Sequence, residues 1–389
     1  MSRPVEFFRH CLGPAEVASV AETLSSIFIT LGPRVGEFER QFGAYLGVEH
    51  VVGLTSCSMS LVLALRALGV GPGDEVITTP MTFVATPNAA LQVGARPVFA
   101  DIDPRTGLID PERVEAAVTP RTRAILSVGL YGQLAELRAL RAIADRHHLW
   151  LVDDAAHSIE ARDDDTRTGE LPDATAFSFY ATKNLTCGDG GALAVHDPAL
   201  AARLRSLRNH GITKDAASRY GQAYRHWDMV ELGYKAALTD VQAALLLPQL
   251  LHLEARRARR QALVERYERE LAGHEHVRLV ARRGTSAHHL FTVQVPAPLR
   301  DAVLAGLGRR RVGCAVNYRA VHALAYYRDT FGFSPQDYPR AFAFGERTVT
   351  LPLYPDLPPD DVSEVVGALD EALREALAGG ARPAPGGDG

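Results

Sequence analysis

The residue of this sequence best suited to covalent chemistry is Lys183, one of only three lysines among 42 basic residues. Arginine supplies the other positive charges, and arginine can neither form a Schiff base nor lose its proton near neutral pH. Lys183 follows an apolar run at residues 177–179 and precedes the turn Gly188-Asp189-Gly190-Gly191, whose glycines permit tight backbone geometry. The alternative is an ordinary surface lysine, but scarcity and context favour a reactive amine.

Two carboxylates and an imidazole, Asp153, Asp154 and His157, follow another apolar run at residues 149–152. A carboxylate at the carboxyl end of a strand can pair with a pyridinium nitrogen and keep it protonated. The alternative is a helix cap or a turn, since aspartate often begins helices. Lys183 comes 29 residues after Asp154, and the acid and the amine together favour a functional site.

Hydroxyl and aromatic side chains follow two further apolar runs. The segment Thr55-Ser56-Cys57-Ser58 precedes a helical pattern, and helix N-terminal N–H groups with hydroxyls can bind a phosphate. The alternative is an ordinary serine cap. Phe83 could stack on a flat ring or fill the core, as most phenylalanines do.

The elements that would position these residues alternate in type. Near-continuous apolar runs separated by amphipathic stretches predict a parallel sheet covered by helices, and hence an α/β fold. We expect strands at residues 50–54, 75–79, 96–100, 124–128, 149–152, 174–179 and 191–195, and helices at residues 59–68, 86–92 and 134–147. Ligands of such sheets bind outside the carboxyl ends of the strands, where Lys183 would lie.

The pattern changes near residue 250. Residues 239–271 read as one long helix interrupted only by Pro248, followed by short strands (289–295, 312–316) and helices (301–308, 360–377). We therefore expect a large α/β domain at residues 1–250 and a smaller α+β domain at residues 251–377. Residues 378–389 have almost no apolar content and are predicted to be a disordered tail.

Composition excludes several classes of protein. The net charge of −4 and the pI near 6.4 argue against nucleic-acid binding. The absence of a long apolar segment and of a signal-peptide pattern argues against a membrane or secreted protein, so we expect a cytoplasmic one. The four cysteines form no CxxC pair, and the pairs His147-His148 and His288-His289 have no third ligand at metal spacing. No metal site is predicted.

A series of motifs resembles the DegT/DnrJ/StrS family of PLP-dependent sugar aminotransferases. The matches run in the same order from about residue 5 to 375. They include Gly71-Pro72-Gly73-Asp74-Glu75-Val76-Ile77, Thr82-Phe83-Val84-Ala85-Thr86, Asp153-Asp154-Ala155-Ala156-His157, residues 178–191, Leu207-Arg208-Asn209-His210-Gly211, and Leu232-Gly233-Tyr234-Lys235. The order and extent of these motifs make the resemblance specific.

The resemblance implies a fold-type I homodimer with active sites shared between subunits and pyridoxal 5′-phosphate (PLP) as the cofactor. Each site residue is assigned by its position in a motif. Lys183 matches the Schiff-base lysine, Asp154 the partner of the pyridine nitrogen, His157 the position beside the ring hydroxyl, Phe83 the stacking aromatic, and Cys57, Ser58 and Ser178 the phosphate cup. Lys235 matches the position that reaches the phosphate from the other subunit, which is often asparagine.

The resemblance also implies the reaction. It predicts transfer of an amino group to a nucleotide-diphosphate keto-sugar, of the 4-keto-6-deoxyhexose type, with L-glutamate as donor. The alternatives are a PLP-dependent sugar dehydratase of the same family, where the lysine position is a histidine, and a PLP- or sugar-binding regulatory protein without turnover. This sequence departs from the family at Cys57, where many members have glycine, at Ala236-Ala237, and at Gly129, where histidine is common.

Overall fold

Residues 3–212 and 226–379 are described by the structure, a computed structural model. Lys214 and residues 380–389 of the predicted tail lie outside these ranges, whereas Ala378 ends the last helix. The strands are His50–Leu54 (β1), Glu75–Thr78 (β2), Arg96–Phe99 (β3), Thr122–Val128 (β4), Trp150–Asp154 (β5), Arg162–Asp163 (β6), Thr166–Arg167 (β7), Ala174–Ser178 (β8), Gly191–Val195 (β9), Arg278–Leu279 (β10), Phe291–Gln294 (β11) and Thr348–Leu351 (β12).

Helices alternate with the first strands and dominate the rest of the chain. They are Pro14–Leu24 (α1), Pro33–Leu46 (α2), Cys57–Ala67 (α3), Ala85–Gln92 (α4), Pro111–Ala117 (α5), Leu137–His147 (α6), Pro198–Leu207 (α7), Asp240–Leu250 (α8), Leu253–Glu270 (α9), Arg300–Arg309 (α10), Ala325–Phe331 (α11), Pro339–Gly345 (α12) and Pro359–Ala378 (α13). Within the two described ranges, no helix is both long and apolar enough to cross a membrane.

A seven-stranded sheet with the order β1-β9-β8-β5-β4-β2-β3 is the centre of the described fold. The pairs from β8 through β5, β4 and β2 to β3 are parallel, as the sequence predicted. Strand β9 runs antiparallel to both of its neighbours, β1 and β8, so the sheet is mixed rather than wholly parallel. The fold is α/β with a large, mostly parallel sheet.

Helices cover both faces of this sheet, since alternate residues of strand β8 pack against different helices. Ala174 and Ala176 of β8 pack into the core beneath α3, α4 and α7, whereas Phe177 packs with Phe38 and Phe42 of α2 on the opposite face. This alternation is the two-residue period of a strand buried on both sides. The carboxyl ends of β4, β5 and β8 consequently lie between two helical layers.

The C-terminal part of the chain forms a second hydrophobic cluster. Strands β10, β11 and β12 make a three-stranded antiparallel sheet that packs with α9, α10 and α13. Val5 belongs to the same cluster, because its backbone pairs with the chain around Val312. The division into domains near residue 250 stays a prediction, although residue 250 is the end of α8.

Two predicted elements are wrong. Residues 239–271 form two helices, and the break lies at Leu251 and His252 rather than at Pro248, which is inside α8. Proline removes one helical hydrogen bond, and α8 ends two residues later. The predicted strand at residues 312–316 is reduced to isolated bridges at Val312 and Ala315, because these residues pair with separate segments, at Val5 and Thr350.

Candidate active site

A cavity of about 510 Å³ opens at the carboxyl ends of the parallel strands. Most of the predicted site residues surround it, although they come from distant parts of the chain. It is lined by Ser56, Cys57, Ser58, Leu61, Thr82, Phe83, Ala85, Val128, Asp154, Ala156, His157, Ser178, Tyr180, Thr182, Lys183, Asp189, Gly190, Asn317 and Tyr318. The structure thus brings together every predicted site residue except Lys235.

The N-terminus of α3 forms one wall of the cavity. Ser56 caps this helix, since its side chain accepts a hydrogen bond from the Met59 N–H at 3.1 Å. Cys57 and Ser58 are the first two helical residues, so their backbone N–H groups lack partners within the helix. A Cβ at Gly191 would lie 2.4 Å from the carbonyl carbon of Ser56, so only glycine lets β9 approach the helix this closely. This wall suits an anionic group.

Asp154 is the carboxylate on the cavity side of β5. Its Oδ2 accepts a hydrogen bond from the Thr86 hydroxyl at 2.8 Å, and its Oδ1 accepts one from the Ala156 N–H at 3.2 Å. The Cys57 thiol donates to the same Oδ1 at 3.6 Å. Burial raises the pKa of Asp154 above its ordinary value, and the hydrogen bonds oppose that shift. A buried carboxylate with this set of donors is well prepared to pair with a cationic ring nitrogen.

Lys183 is the amine of the site. Burial lowers its pKa to about 8, because desolvation disfavours the ammonium, while the charge of Asp154 acts in the opposite direction. Its Nζ lies 3.5 Å from Nε2 of His289. An amine with a pKa near 8 is about half unprotonated at pH 8, whereas an ordinary lysine is almost wholly protonated there, and the unprotonated form is a nucleophile and a base.

His157 and Tyr318 form a hydrogen-bonded pair beside the carboxylate. Nδ1 of His157 accepts from the Tyr131 N–H at 3.4 Å, and its Nε2 lies 3.2 Å from the Tyr318 hydroxyl. Burial holds the pKa of His157 well below its ordinary value, so the ring is neutral. Since Nδ1 accepts a hydrogen bond, the ring proton lies on Nε2. His157 therefore donates to Tyr318, which comes from the C-terminal part of the chain.

Phe83 lies at the mouth of the cavity rather than in the core, with 56% of its surface exposed. Its ring centroid is 5.9 Å from that of Tyr318. Tyr180, also exposed, lies at the same opening, and its N–H donates to the buried Ser178 hydroxyl at 3.4 Å. The core-filling alternative for Phe83 is therefore wrong.

Lys235 does not line the cavity and is exposed at the surface. Neither neighbouring acid pairs with it. Glu231 bonds Arg203 at 2.9 Å, and Asp240 accepts the N–H groups of Gly32 and Val35. Among residues 3–212 and 226–379, no carboxylate lies within ion-pair distance of the Lys235 ammonium.

The N-terminal segment closes another side of the site. Phe7 and Phe8 enclose a space of about 60 Å³ together with Lys183 and His289. These two phenylalanines follow Val5, which is held in the C-terminal cluster. The amine is therefore screened on this side by Phe7 and Phe8, whose segment is held in place by the C-terminal cluster.

Thr86, Tyr318 and His289 also belong to the site but were not among the residues predicted from the sequence. Thr86 lies in the same motif as Phe83, three residues further on, and that motif is the signal that could have found it. His289 was considered only as a metal ligand, and its position in the chain, 106 residues from Lys183, gives no hint of contact. Tyr318 carries no local signal at all.

Comparison with known proteins agrees with this arrangement. A sequence profile of the DegT/DnrJ/EryC1/StrS aminotransferase family matches residues 10–370. The spore coat polysaccharide biosynthesis protein SpsC of Bacillus subtilis is 41% identical over 379 residues, which cover 94% of this chain and 96% of SpsC.

Solved structures show the same similarity. The putative sugar aminotransferase Spr1654 from Streptococcus pneumoniae, in its PMP form, superposes with a TM-score of 0.91 at 30% identity, covering 96% of this chain and 100% of that one. DesV from S. venezuelae superposes with a TM-score of 0.86 at 38% identity, covering 92% and 94% of the two chains.

This degree of similarity defines the class of protein. The chain is a PLP-dependent aminotransferase of fold type I. It belongs to the DegT/DnrJ/EryC1/StrS aminotransferase family, as its motifs predicted. The groups around the cavity fit the cofactor: a buried carboxylate for a pyridinium nitrogen, an amine for an aldehyde, and a helix N-terminus with hydroxyls for a phosphate.

Proposed function

We propose that this aminotransferase converts a nucleotide-diphosphate keto-sugar of the 4-keto-6-deoxyhexose type to the amino-sugar, with L-glutamate as the amino donor. The observation that carries the proposal is the buried amine of Lys183, with its pKa lowered to about 8 and facing Asp154 in one cavity. The similarity to sugar aminotransferases over nearly the whole chain supports a sugar as acceptor.

In this proposal Lys183 and Asp154 divide the chemistry. PLP, when bound, supplies the carbonyl that captures the donor's amino group and the ring that accepts the electrons released at Cα. Lys183 holds the cofactor and, once displaced, takes the Cα proton of the donor on Nζ as a general base. Asp154 keeps the pyridine nitrogen protonated, and the donors from Thr86 and Ala156 hold its carboxylate in place.

The remaining predicted residues hold the cofactor. The N–H groups of Cys57 and Ser58, with the Ser178 hydroxyl, bind the phosphate at the start of α3. Phe83, exposed at the mouth of the cavity, stacks on the ring, and His157 lies beside the ring hydroxyl. His157 also donates its Nε2–H to Tyr318, so the position of its ring depends on the C-terminal part of the chain.

We further propose a homodimer in which each site is completed by the partner. Phe83 and Tyr180 are large exposed rings at the cavity mouth, and Ile27, Ile29 and Leu232 are exposed elsewhere on the surface, a pattern typical of buried interfaces. Lys235, exposed and without a recorded partner among the described residues, would reach the phosphate of the neighbouring subunit.

The proposal is tested by running the reaction backwards. A panel of nucleotide-linked 4-amino sugars is incubated with 2-oxoglutarate, and formation of L-glutamate and of the keto-sugar is followed. The same sugars without the nucleotide, and the Lys183→Ala variant, are the controls. We expect turnover only with the nucleotide-linked sugars. If simple amino acids are converted as fast as the nucleotide-linked amino-sugars, the sugar assignment is wrong. Release of a deoxygenated sugar would establish the dehydratase.

A further inference from the structure

His289 lies between Lys183 and its sequence neighbour Asn184. Nε2 of the imidazole is 3.5 Å from Nζ of Lys183, and Nδ1 is 3.1 Å from Oδ1 of Asn184. The ring is buried, and its other face packs on His157 with the ring centroids 4.4 Å apart. Both nitrogens of His289 therefore have fixed neighbours.

The amide of Asn184 can take only one orientation. Its Nδ2 donates to both oxygens of Glu160, at 3.2 and 3.0 Å, and to the Ala287 carbonyl at 3.1 Å. A reversed amide would place its oxygen against a carboxylate and a carbonyl, three acceptors with no proton between them. The amide oxygen consequently faces His289.

Glu160 is itself held by a buried ion pair. The Arg260 guanidinium donates to it at 2.7 Å and also to the Ala287 carbonyl at 3.1 and 3.2 Å. Glu160 and Arg260 are both almost completely buried. The carboxylate is therefore compensated and its orientation is fixed, so it can define the direction of the Asn184 amide.

This chain of contacts determines where the proton of His289 lies. An amide oxygen only accepts hydrogen bonds, so Nδ1 must carry the proton and donate it. The opposite nitrogen, Nε2, then presents a lone pair to Lys183. The ring is neutral, since burial, His157 and Lys183 together hold the pKa of His289 well below its ordinary value, and Arg260 adds to this shift.

We propose that His289 is the positioning residue of Lys183: locked in its Nδ1–H tautomer by Asn184, it accepts an N–H from Nζ. Accepting that hydrogen bond fixes the rotation of the amine, because one N–H points at Nε2 and the lone pair of the neutral amine is left free to face the cavity. The inference rests on the proposed function of Lys183 as the reactive amine. It assigns His289, Asn184, Glu160 and Arg260 to one orienting chain.

The first measurement reads the tautomer directly. The full chain, labelled with ¹⁵N-histidine and loaded with pyridoxamine 5′-phosphate, keeps Lys183 as a free amine. Its imidazole nitrogen shifts separate protonated from unprotonated nitrogens, and the His289→Leu variant assigns the His289 signals among the 14 histidines. We expect the proton of His289 on Nδ1 in the parent protein and a shared proton in Asn184→Leu. A proton on Nε2 in the parent protein would overturn the inference.

The second measurement reads the effect on Lys183. The chain has three lysines, so labelling their Cε atoms with ¹³C gives three signals, which Lys214→Arg and Lys235→Arg variants assign by elimination. In His289→Leu the ammonium loses an acceptor, and we expect the pKa of Lys183 to fall by about one unit, a tenfold change in its dissociation constant.

His288→Leu is the matched control, since His288 is the adjacent buried histidine and makes no recorded contact with Lys183. We expect it to leave the Lys183 titration unchanged. Equal Lys183 titrations in His289→Leu and the parent protein would contradict the proposal. If His289→Leu does not fold, His289→Gln supplies the assignment, and the parent spectrum with Asn184→Leu then decides the tautomer. Neither measurement needs turnover, so failure of the proposed sugar reaction would not be confused with failure of this contact.

Discussion

Asp153 and Asp154 are adjacent in β5 but point to opposite sides of the sheet. Asp154 faces the cavity with Thr86 and Cys57, whereas Oδ1 of Asp153 accepts the Ser127 hydroxyl at 2.6 Å within the core. Burial raises the pKa of Asp153 to about 7, so its proton is retained in part at neutral pH. The position in the motif predicted Asp154 as the functional carboxylate, and the two-residue period of β5 explains why Asp154 rather than Asp153 reaches the cavity.

We expect Asp154→Asn to slow the half-reaction with L-glutamate by about a hundredfold or more, because a neutral amide cannot keep the pyridine nitrogen protonated. Stopped-flow absorbance of the bound cofactor measures this rate. Asp153→Asn is the matched control and should stay near the parent rate. The opposite result would reverse the two assignments.

Lys183→Ala should reduce turnover by more than about a thousandfold and remove the visible absorbance of the lysine-bound cofactor. No other amine lines the described cavity. Borohydride reduction of the parent enzyme, followed by peptide mapping, should place the cofactor on Lys183. A label on Lys214 or Lys235 would show that a different lysine is used.

The rate at which cofactor-free enzyme combines with PLP should rise with pH and level off above about 8, the pKa of Lys183. The sign follows from the lowered pKa, because only the unprotonated amine attacks a carbonyl and burial favours that form. Absorbance after mixing at pH 6–10 gives the profile. A midpoint near 10.5, the value of an exposed lysine, would show that the amine is not desolvated.

Lys235→Ala should weaken PLP retention about ten- to hundredfold, because one charge-assisted hydrogen bond to the phosphate is lost. Dialysis against defined PLP concentrations measures the change. Heterodimers of Lys183→Ala and Lys235→Ala subunits should regain activity, since one of their two sites then carries neither substitution. Inactive heterodimers of verified composition would argue against shared sites.

The Glu160–Arg260 pair should matter for stability as well as for orientation. Arg260→Leu leaves a buried carboxylate uncompensated, and we expect a loss of about 3–5 kcal/mol in urea unfolding. Arg259 is the next residue on α9, and its pair with Asp356 is exposed on both sides. Arg259→Leu should therefore change the free energy of unfolding by less than about 1 kcal/mol.

Local patterns were sufficient for the fold and for part of the site. The strands and the motifs around Lys183 and Asp154 are set by periodicity and by residue type within a few positions. The antiparallel direction of β9 was not visible in this way, because a strand buried on both faces has the same composition in either direction. The role of His289 was not visible in local patterns either, because its contact with Lys183 depends on the packing of segments from distant parts of the chain.

The pairing of Val5 with Val312 has a consequence for how the enzyme is made on the ribosome. Val5, Phe7 and Phe8 are synthesised early, yet the hydrophobic cluster that holds Val5 includes residues as late as Ala376. The wall of the lysine site that Phe7 and Phe8 supply can therefore form only after the segment around Val312 has been synthesised. A nascent chain halted before residue 312 could complete much of the central sheet while this wall of its active site is still missing.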